Sequence, residues 1–305
     1  MKHPVCTTLT ILVALAAAAP LARAQQQFDS PEAAFAAVAK ACAEGDKKGL
    51  ATIIGPDAER LLADETASTL QDFAEAYALD HEVLTRDAQR LIQVGEVGYI
   101  LPVPVVAAGS KWTFDLPSAL DEIHKRRIGR NEITAIETLR AYVDAQRAYA
   151  AIDYDADEVN EFAQLILSTE GQRDGLYFKT GDGEPPSPFG PLVAENAEYL
   201  QDKKPGDPYY GYYYKILRSQ GDAAPGGAYD YVINGNMIAG YAMLAWPADY
   251  GKSGIMSFIV NHQGKVHDRD LGKDTAKAAA AITAYQPDGK WSEVPADDID
   301  ESTVE

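Results

Sequence analysis

The sequence predicts an α+β protein: N-terminal helices on an antiparallel sheet, then a long helix packed on a second antiparallel sheet. Three observations carry this expectation. Apolar residues at three- and four-residue spacing give way to short β-like runs, and the same order then repeats. The length of 305 residues fits two domains at roughly 150 residues each. Leu116-Pro117-Ser118 separates a strand-like run from renewed helical spacing, so a hinge is expected there, dividing 25–116 from 118–290. Residues 291–305 are expected to form an acidic tail.

The elements follow in order. Lys2, the apolar run 10–16 and Ala22-Arg23-Ala24 have the pattern of a secretory signal peptide over 1–24, cleaved after Ala24. Export to the periplasm is expected, with extracellular release as the alternative. No later apolar run approaches the roughly 20 residues of a membrane span, so no transmembrane segment is expected after cleavage. Ser30-Pro31-Glu32 opens a helix reaching Ala43, which Gly45-Asp46 breaks. A second helix covers 48–54 and ends at Gly55-Pro56. A third runs from Asp57 through Leu70, Phe73 and Tyr77, with an interruption near Asp64. Strand-like runs at 88–94, 97–106 and 111–114 are separated by Gly95-Glu96 and Gly109-Ser110.

Past the hinge, a helix over 118–124 meets Ile128-Gly129-Arg130, and a long amphipathic helix follows over 131–150 on Ile133, Ile136, Leu139, Val143 and Tyr149. The acidic loop 152–160 ends it. A helix over 161–167 and a Pro/Gly-rich surface loop over 181–188 come next. Strands are expected at 210–217, 228–233, 236–246, 255–260 and 265–267. Asn234-Gly235 signals a type I′ hairpin, His262-Gln263-Gly264 a second tight turn, and a short helix over 275–282 closes the domain.

Composition narrows function. Lys and Arg number 27 against 46 Asp and Glu, a net charge of −19 that would repel phosphate backbones, so nucleic acid is not an expected partner. Cys6 leaves with the signal peptide. Cys42 stays alone on the apolar side of the first helix, where a buried, inert thiol is expected. There is no Gly-x-Ser-x-Gly, His-Glu-x-x-His or phosphate loop, so no catalytic residue is assigned.

Asp153, Asp155 and Asp157 alternate as in the first half of a calcium loop, with Glu161 as a fourth carboxylate. An EF-hand would carry Gly where Glu158 stands and a bidentate Glu at position twelve, whereas Glu161 falls at position nine. Calcium is one reading. A solvated helix-capping loop is the other, and the residues favour it. His262, His267, Asp268 and Asp270 cluster in sequence, but a strand would send His267 and Asp268 to opposite faces. Tyr77, His81, Asp87 and Tyr99 are the polar residues expected to line any pocket of the N-terminal domain. Tyrosines concentrate at 209, 210, 212–214, 229, 231 and 241. Alternation would place Tyr210, Tyr212 and Tyr214 on one sheet face and Tyr209 and Tyr213 on the other, as half-buried strand residues or as a protein or glycan contact surface.

Three resemblances can be stated. Ser30-Pro31-Glu32-Ala33-Ala34, Gly45-Asp46, Gly55-Pro56-Asp57 and Lys111-Trp112-Thr113-Phe114 resemble a cone-shaped nuclear-transport-factor-2-like domain. The helix from Asn131 to Tyr149 and the stretch from Ala245 to Gly264 resemble type IV pilin-like and pseudopilin-like proteins. The chain departs from true pilins in lacking their short leader and the apolar helix half of a pilus core. Over the mature chain, Arg126-Arg127-Ile128-Gly129-Arg130-Asn131-Glu132, Gly190-Pro191-Leu192-Val193, Tyr210-Gly211-Tyr212-Tyr213 and Pro225-Gly226-Gly227-Ala228-Tyr229-Asp230-Tyr231 resemble the bacterial envelope family DUF2950. That resemblance implies an envelope protein partner and a glycine-bearing acidic loop, from which Ala156 and Glu158 depart. The expected function is a non-catalytic envelope interaction or assembly factor. The alternative is a small-ligand-binding protein or an enzyme using a pocket of the N-terminal domain.

Overall fold

The computed structural model describes residues 25–295 apart from 56, 63, 64 and 202. The expected signal peptide, Asp64 and most of the expected tail lie outside the described residues. The chain is α+β throughout.

The first body begins with α1 (Pro31–Ala43), where the Ser30 hydroxyl accepts the Ala33 N–H at 3.2 Å and Pro31 takes a first-turn position that needs no N–H. α2 (Lys47–Ile54) is capped by Asp46, α3 (Ala58–Leu61) is a single turn, and α4 (Ala67–Leu79) is capped by Thr66. Five strands follow: β1 (His81–Arg86), β2 (Gln89–Val94), β3 (Tyr99–Ile100), β4 (Val105–Ala108) and β5 (Lys111–Phe114). They form an antiparallel sheet in the order β1-β2-β4-β5, with β3 also on β2. Strand β1 is not among the sequence-expected runs. Its residues are exposed or half-exposed, so it carries no strong alternation, and its register comes from the tight turn at Asp87. The expected run 97–106 splits into β3 and β4 because Pro102 and Pro104 have no N–H to give a ladder.

Helix α5 (Leu116–Tyr149) corrects the hinge. Pro117 lies in its first turn and Asp115 caps it, so the chain passes from β5 into helix without a break. Gly129 is also helical, and its cost of about 1 kcal/mol against Ala is absorbed by the 34-residue helix. At about 1.5 Å per residue the helix is about 50 Å long. Its start, through Leu116, Ala119, Leu120 and Ile123, packs in a core with Phe35, Val105 and Phe114. Its end, through Ala135, Leu139, Tyr142, Val143 and Tyr149, packs in a second core with Leu244 and Phe258. The expected division at 116 and 118 therefore falls inside an element that serves both cores.

Beyond α5 come β6 (Leu165–Leu167) and β7 (Gly175–Tyr177), a parallel pair, then α6 (Gly190–Glu195) and α7 (Ala197–Leu200). The helix expected over 161–167 is absent. Gln146, buried in α5, donates to the Ala163 carbonyl and accepts the Ala163 N–H, both at 2.8 Å, while Phe162 bridges to Met237. These bonds hold the segment extended. Next are β8 (Tyr212–Leu217), β9 (Ser219–Gln220), β10 (Tyr229–Asp230), β11 (Val232–Ile233), β12 (Asn236–Met237), β13 (Ala242–Pro247), β14 (Met256–Asn261), β15 (His267–Asp270), α8 (Thr275–Ala281) and β16 (Ser292–Glu293). The main sheet has the order β16-β15-β14-β13-β8. Asn234 and Gly235 take φ of 54° and 100°, as the β11–β12 hairpin requires. The run 236–246 breaks before β13 at Gly240, where φ is 149° and a Cβ would lie 2.9 Å from the Tyr231 ring. Strand β16 pairs with β15, and Trp291 and Val294 pack on the core, so 291–294 belong to the sheet and not to an acidic tail.

Candidate functional site

The acidic loop is the first candidate. Asp153 accepts the Ala156 N–H at 2.8 Å on one oxygen and the Glu158 N–H at 3.0 Å on the other. Asp157 accepts the Val159 N–H at 2.8 Å and the Asn236 side-chain amide at 2.9 Å. Asp153, Asp155 and Asp157 can each bring one oxygen within 4.8 Å of the others; Glu161 is not in that group and accepts the Met237 N–H at 3.1 Å. Desolvation acts to raise the Asp153 carboxyl, but the Glu158 and Ala156 N–H groups outweigh it and hold it below its ordinary value. Desolvation pushes Glu161 up, and the three aspartates add to that. The carboxylates thus clasp the loop and tie it to the β11–β12 hairpin. Ala156 and Glu158 have φ of 60° and 72°, the left-handed region that favours glycine.

The histidine group disperses. His262 lies edge-on to the Tyr231 and Tyr241 rings with its Nδ1 buried and without a hydrogen bond, and desolvation lowers its pKa. His267 faces Tyr285, and Asp270 accepts the Tyr250 hydroxyl. Among the described residues only Asp153, Asp155 and Asp157 form a metal-type cluster.

The tyrosines are mostly core. Tyr212, Tyr231 and Tyr241 are buried, and their hydroxyls donate to the Met256 carbonyl, Gln220 and the Val143 carbonyl. Tyr210 departs from the expected alternation: it precedes β8 at φ 43° and stacks on Tyr199 with centroids 3.9 Å apart.

The first core borders an open cavity of about 460 Å³ between α1 to α4, the 99–103 segment and α5 from Leu116 to Glu137. Leu50, Leu70, Phe73, Val103, Leu116 and Ile123 are among its apolar walls, and Cys42 is on its surface. Cys42 is buried as expected, and burial pushes its thiol up to about 11, which disfavours the thiolate at neutral pH. Of the four polar residues expected around such a pocket, only Tyr99 lines it. Tyr77 and His81 stack on each other at 4.0 Å, and Asp87 is in the β1–β2 turn.

The polar mouth comes from α5 instead. The Arg126 guanidinium donates to Glu122 and to the Ile100 carbonyl, each at 2.8 Å, and lies over the Tyr99 ring. Arg130 pairs with Glu65 at 3.1 Å. Arg127, half-exposed between them in sequence, has no hydrogen-bond or ion-pair partner among the described residues. Leu61, Glu65, Arg127 and Arg130 also line a wider polar cleft of about 1380 Å³, into which the cavity opens. Across that cleft Glu198 accepts the Ala67 N–H at 2.6 Å and the Ser68 hydroxyl at 3.1 Å, joining α7 to the start of α4. In the sequence these residues stand as part of a family motif over 126–132 and as a break at Ile128-Gly129-Arg130. The missed signal was three arginines at i, i+1 and i+4 in an acidic chain, which share one end of a cavity once the helix is continuous.

A family model described as protein of unknown function (DUF2950) matches residues 25–294, and the chain belongs to that family. No curated protein and no solved structure matches it significantly. No helix among the described residues is long and apolar enough to cross a membrane.

Proposed function

We propose that this protein is a non-catalytic ligand-binding component of the cell envelope, exported to the periplasm and holding an apolar small molecule between its N-terminal helices and α5. The cavity carries the reading. At about 460 Å³ it is inside the ligand-site range of roughly 300 to 1,000 Å³. Its walls are hydrocarbon and its mouth is polar, the usual division between affinity and orientation. The test is purification of the exported chain from periplasm, organic extraction and mass spectrometry. A retained apolar molecule is expected, lost in Leu70→Trp, whose ring would fill the space. Wild-type protein that carries none and takes up no added apolar ligand overturns the reading.

A protein partner is a second reading, favoured by exposed apolar residues on one flank. Leu165 and Leu167 on β6, and Ile233 and Ile238 around the β11–β12 hairpin, are all at least 38% exposed. The Phe162–Met237 bridge and the Gln164 bond to the Gly235 carbonyl bring the two segments together. Copurification of a stoichiometric envelope protein, lost in Leu167→Asp with Ile233→Asp, is the expected result. The two fold likenesses belong with these readings: helices on the first sheet suit a nuclear-transport-factor-2-like cone, and α5 on β13 and β14 suits a pilin-like half.

A further inference from the structure

The cavity is built in two chemical zones. Its interior offers aliphatic and aromatic surface, while all its charged lining lies on Glu65 and on α5, at Arg126, Arg127, Arg130 and Glu137. Four of these charges are engaged within the protein: Arg126 by Glu122 and the Ile100 carbonyl, Arg130 and Glu65 by each other, and Glu137 by an interaction of its own. Arg127 has no hydrogen-bond or ion-pair partner among the described residues. In a chain of net charge −19 carboxylates outnumber cations, so a half-exposed arginine with none among the described residues, beside apolar walls, is placed to recognise an anion.

Resting on the reading of the cavity as a ligand site, we infer that its ligand is a single-chain amphipathic monocarboxylate, with the hydrocarbon tail among Leu50, Leu70 and Phe73 and the carboxylate on the Arg127 guanidinium. The planar fork of an arginine matches a carboxylate with two parallel hydrogen bonds, and the low dielectric of apolar walls strengthens the pair. One such fork neutralises one charge. Arg126 and Arg130 are already held by Glu122 and Glu65, so no second cation of the lining is left to meet the further charge of a phosphomonoester head of the same chain length. The long axis of the ligand then runs from the polar cleft inward, so the head can reach solvent while the tail leaves it.

Calorimetric titration of the delipidated mature chain tests this with three twelve-carbon probes below their micellar concentrations: dodecanoate, 1-dodecanol and dodecyl phosphate. Dodecanoate should bind at least tenfold more tightly than dodecanol and more tightly than dodecyl phosphate. Arg127→Gln should bring dodecanoate to the level of dodecanol and leave dodecanol unchanged, while Arg127→Lys should keep part of the preference. Arg127 is half-exposed on α5 and makes no hydrogen bond or ion pair among the described residues, so both variants should retain the wild-type melting temperature. Equal affinity for acid and alcohol, or a preference that survives Arg127→Gln, overturns the head-group assignment while leaving the cavity as a ligand site. Tighter binding of dodecyl phosphate overturns the choice of carboxylate. If no probe binds, or if binding is unaffected by Leu70→Trp, the ligand site itself falls and this inference with it.

Discussion

The two cores of this protein are packed by different rules. The second is filled by tyrosines, and the hydroxyls of four buried ones are bonded: Tyr142 donates to the Ala242 carbonyl, Tyr149 to that of Arg173, Tyr212 to that of Met256 and Tyr241 to that of Val143. The Tyr214 hydroxyl at its edge has no partner among the described residues. The first is aliphatic, with Phe28, Phe35 and Phe114 as its buried aromatics, and it borders the open cavity. A buried hydroxyl has to find one partner, so a tyrosine-rich core specifies a single arrangement. An aliphatic core has no such demand and tolerates space. The solid half is therefore suited to scaffolding and the hollow half to receiving something.

Truncation on each side should expose that difference. Leu139→Ala, in the filled core, is expected to cost about 4 kcal/mol by chemical denaturation, whereas Leu70→Ala, on the cavity wall, should cost about 2 kcal/mol because fewer atoms are in contact with it. Equal costs would mean that the cavity collapses in solution. The next effect is kinetic. With its pKa at about 11, Cys42 should react with a thiol reagent at pH 8 at least about a hundredfold more slowly than in unfolded chain, with the rate rising about tenfold per pH unit towards 11. Ordinary labelling at pH 8 would show that the wall opens readily.

The acidic loop offers a smaller test within the solid half. Asp153→Ala removes the acceptor of two N–H groups and should cost about 1 to 2 kcal/mol. At matched ionic strength calcium and magnesium should then raise the melting temperature equally, as screening does. A calcium-selective rise of a few degrees that Asp155→Ala abolishes would establish the calcium reading of Asp153, Asp155, Asp157 and Glu161. The smallest effect is a gain: Ala156→Gly should stabilise by about 0.5 to 1 kcal/mol, because the left-handed backbone there penalises a Cβ.

Local chemistry was legible in the sequence where it acts over a few residues. The Ser30-Pro31 start, the Asn234-Gly235 turn and helix α8 are all written in adjacent side chains. Distant partners were not. The extension of 161–167 depends on Gln146, an otherwise helix-compatible residue whose amide reaches Ala163. The cavity mouth was hidden by a related error: reading Ile128-Gly129-Arg130 as a break separates Arg130 from Arg126 and Arg127, and only an unbroken α5 sets the three at one opening. Glycine in a helix is a cost that tertiary packing can carry, and no local signal says when it does.

The continuity of α5 also bears on heredity. A recombination breakpoint near residue 117 would leave the upstream piece without Ala119, Leu120 and Ile123, which close its core, and one nearer 140 would divide the residues on which β13 and β14 rest. Only a crossover between Ile123 and Ala135 would spare the residues of both cores, and it would still divide the helix that joins them. The helix thus narrows exchange between the halves to about one short stretch of the gene, the codons between the two sets of core residues.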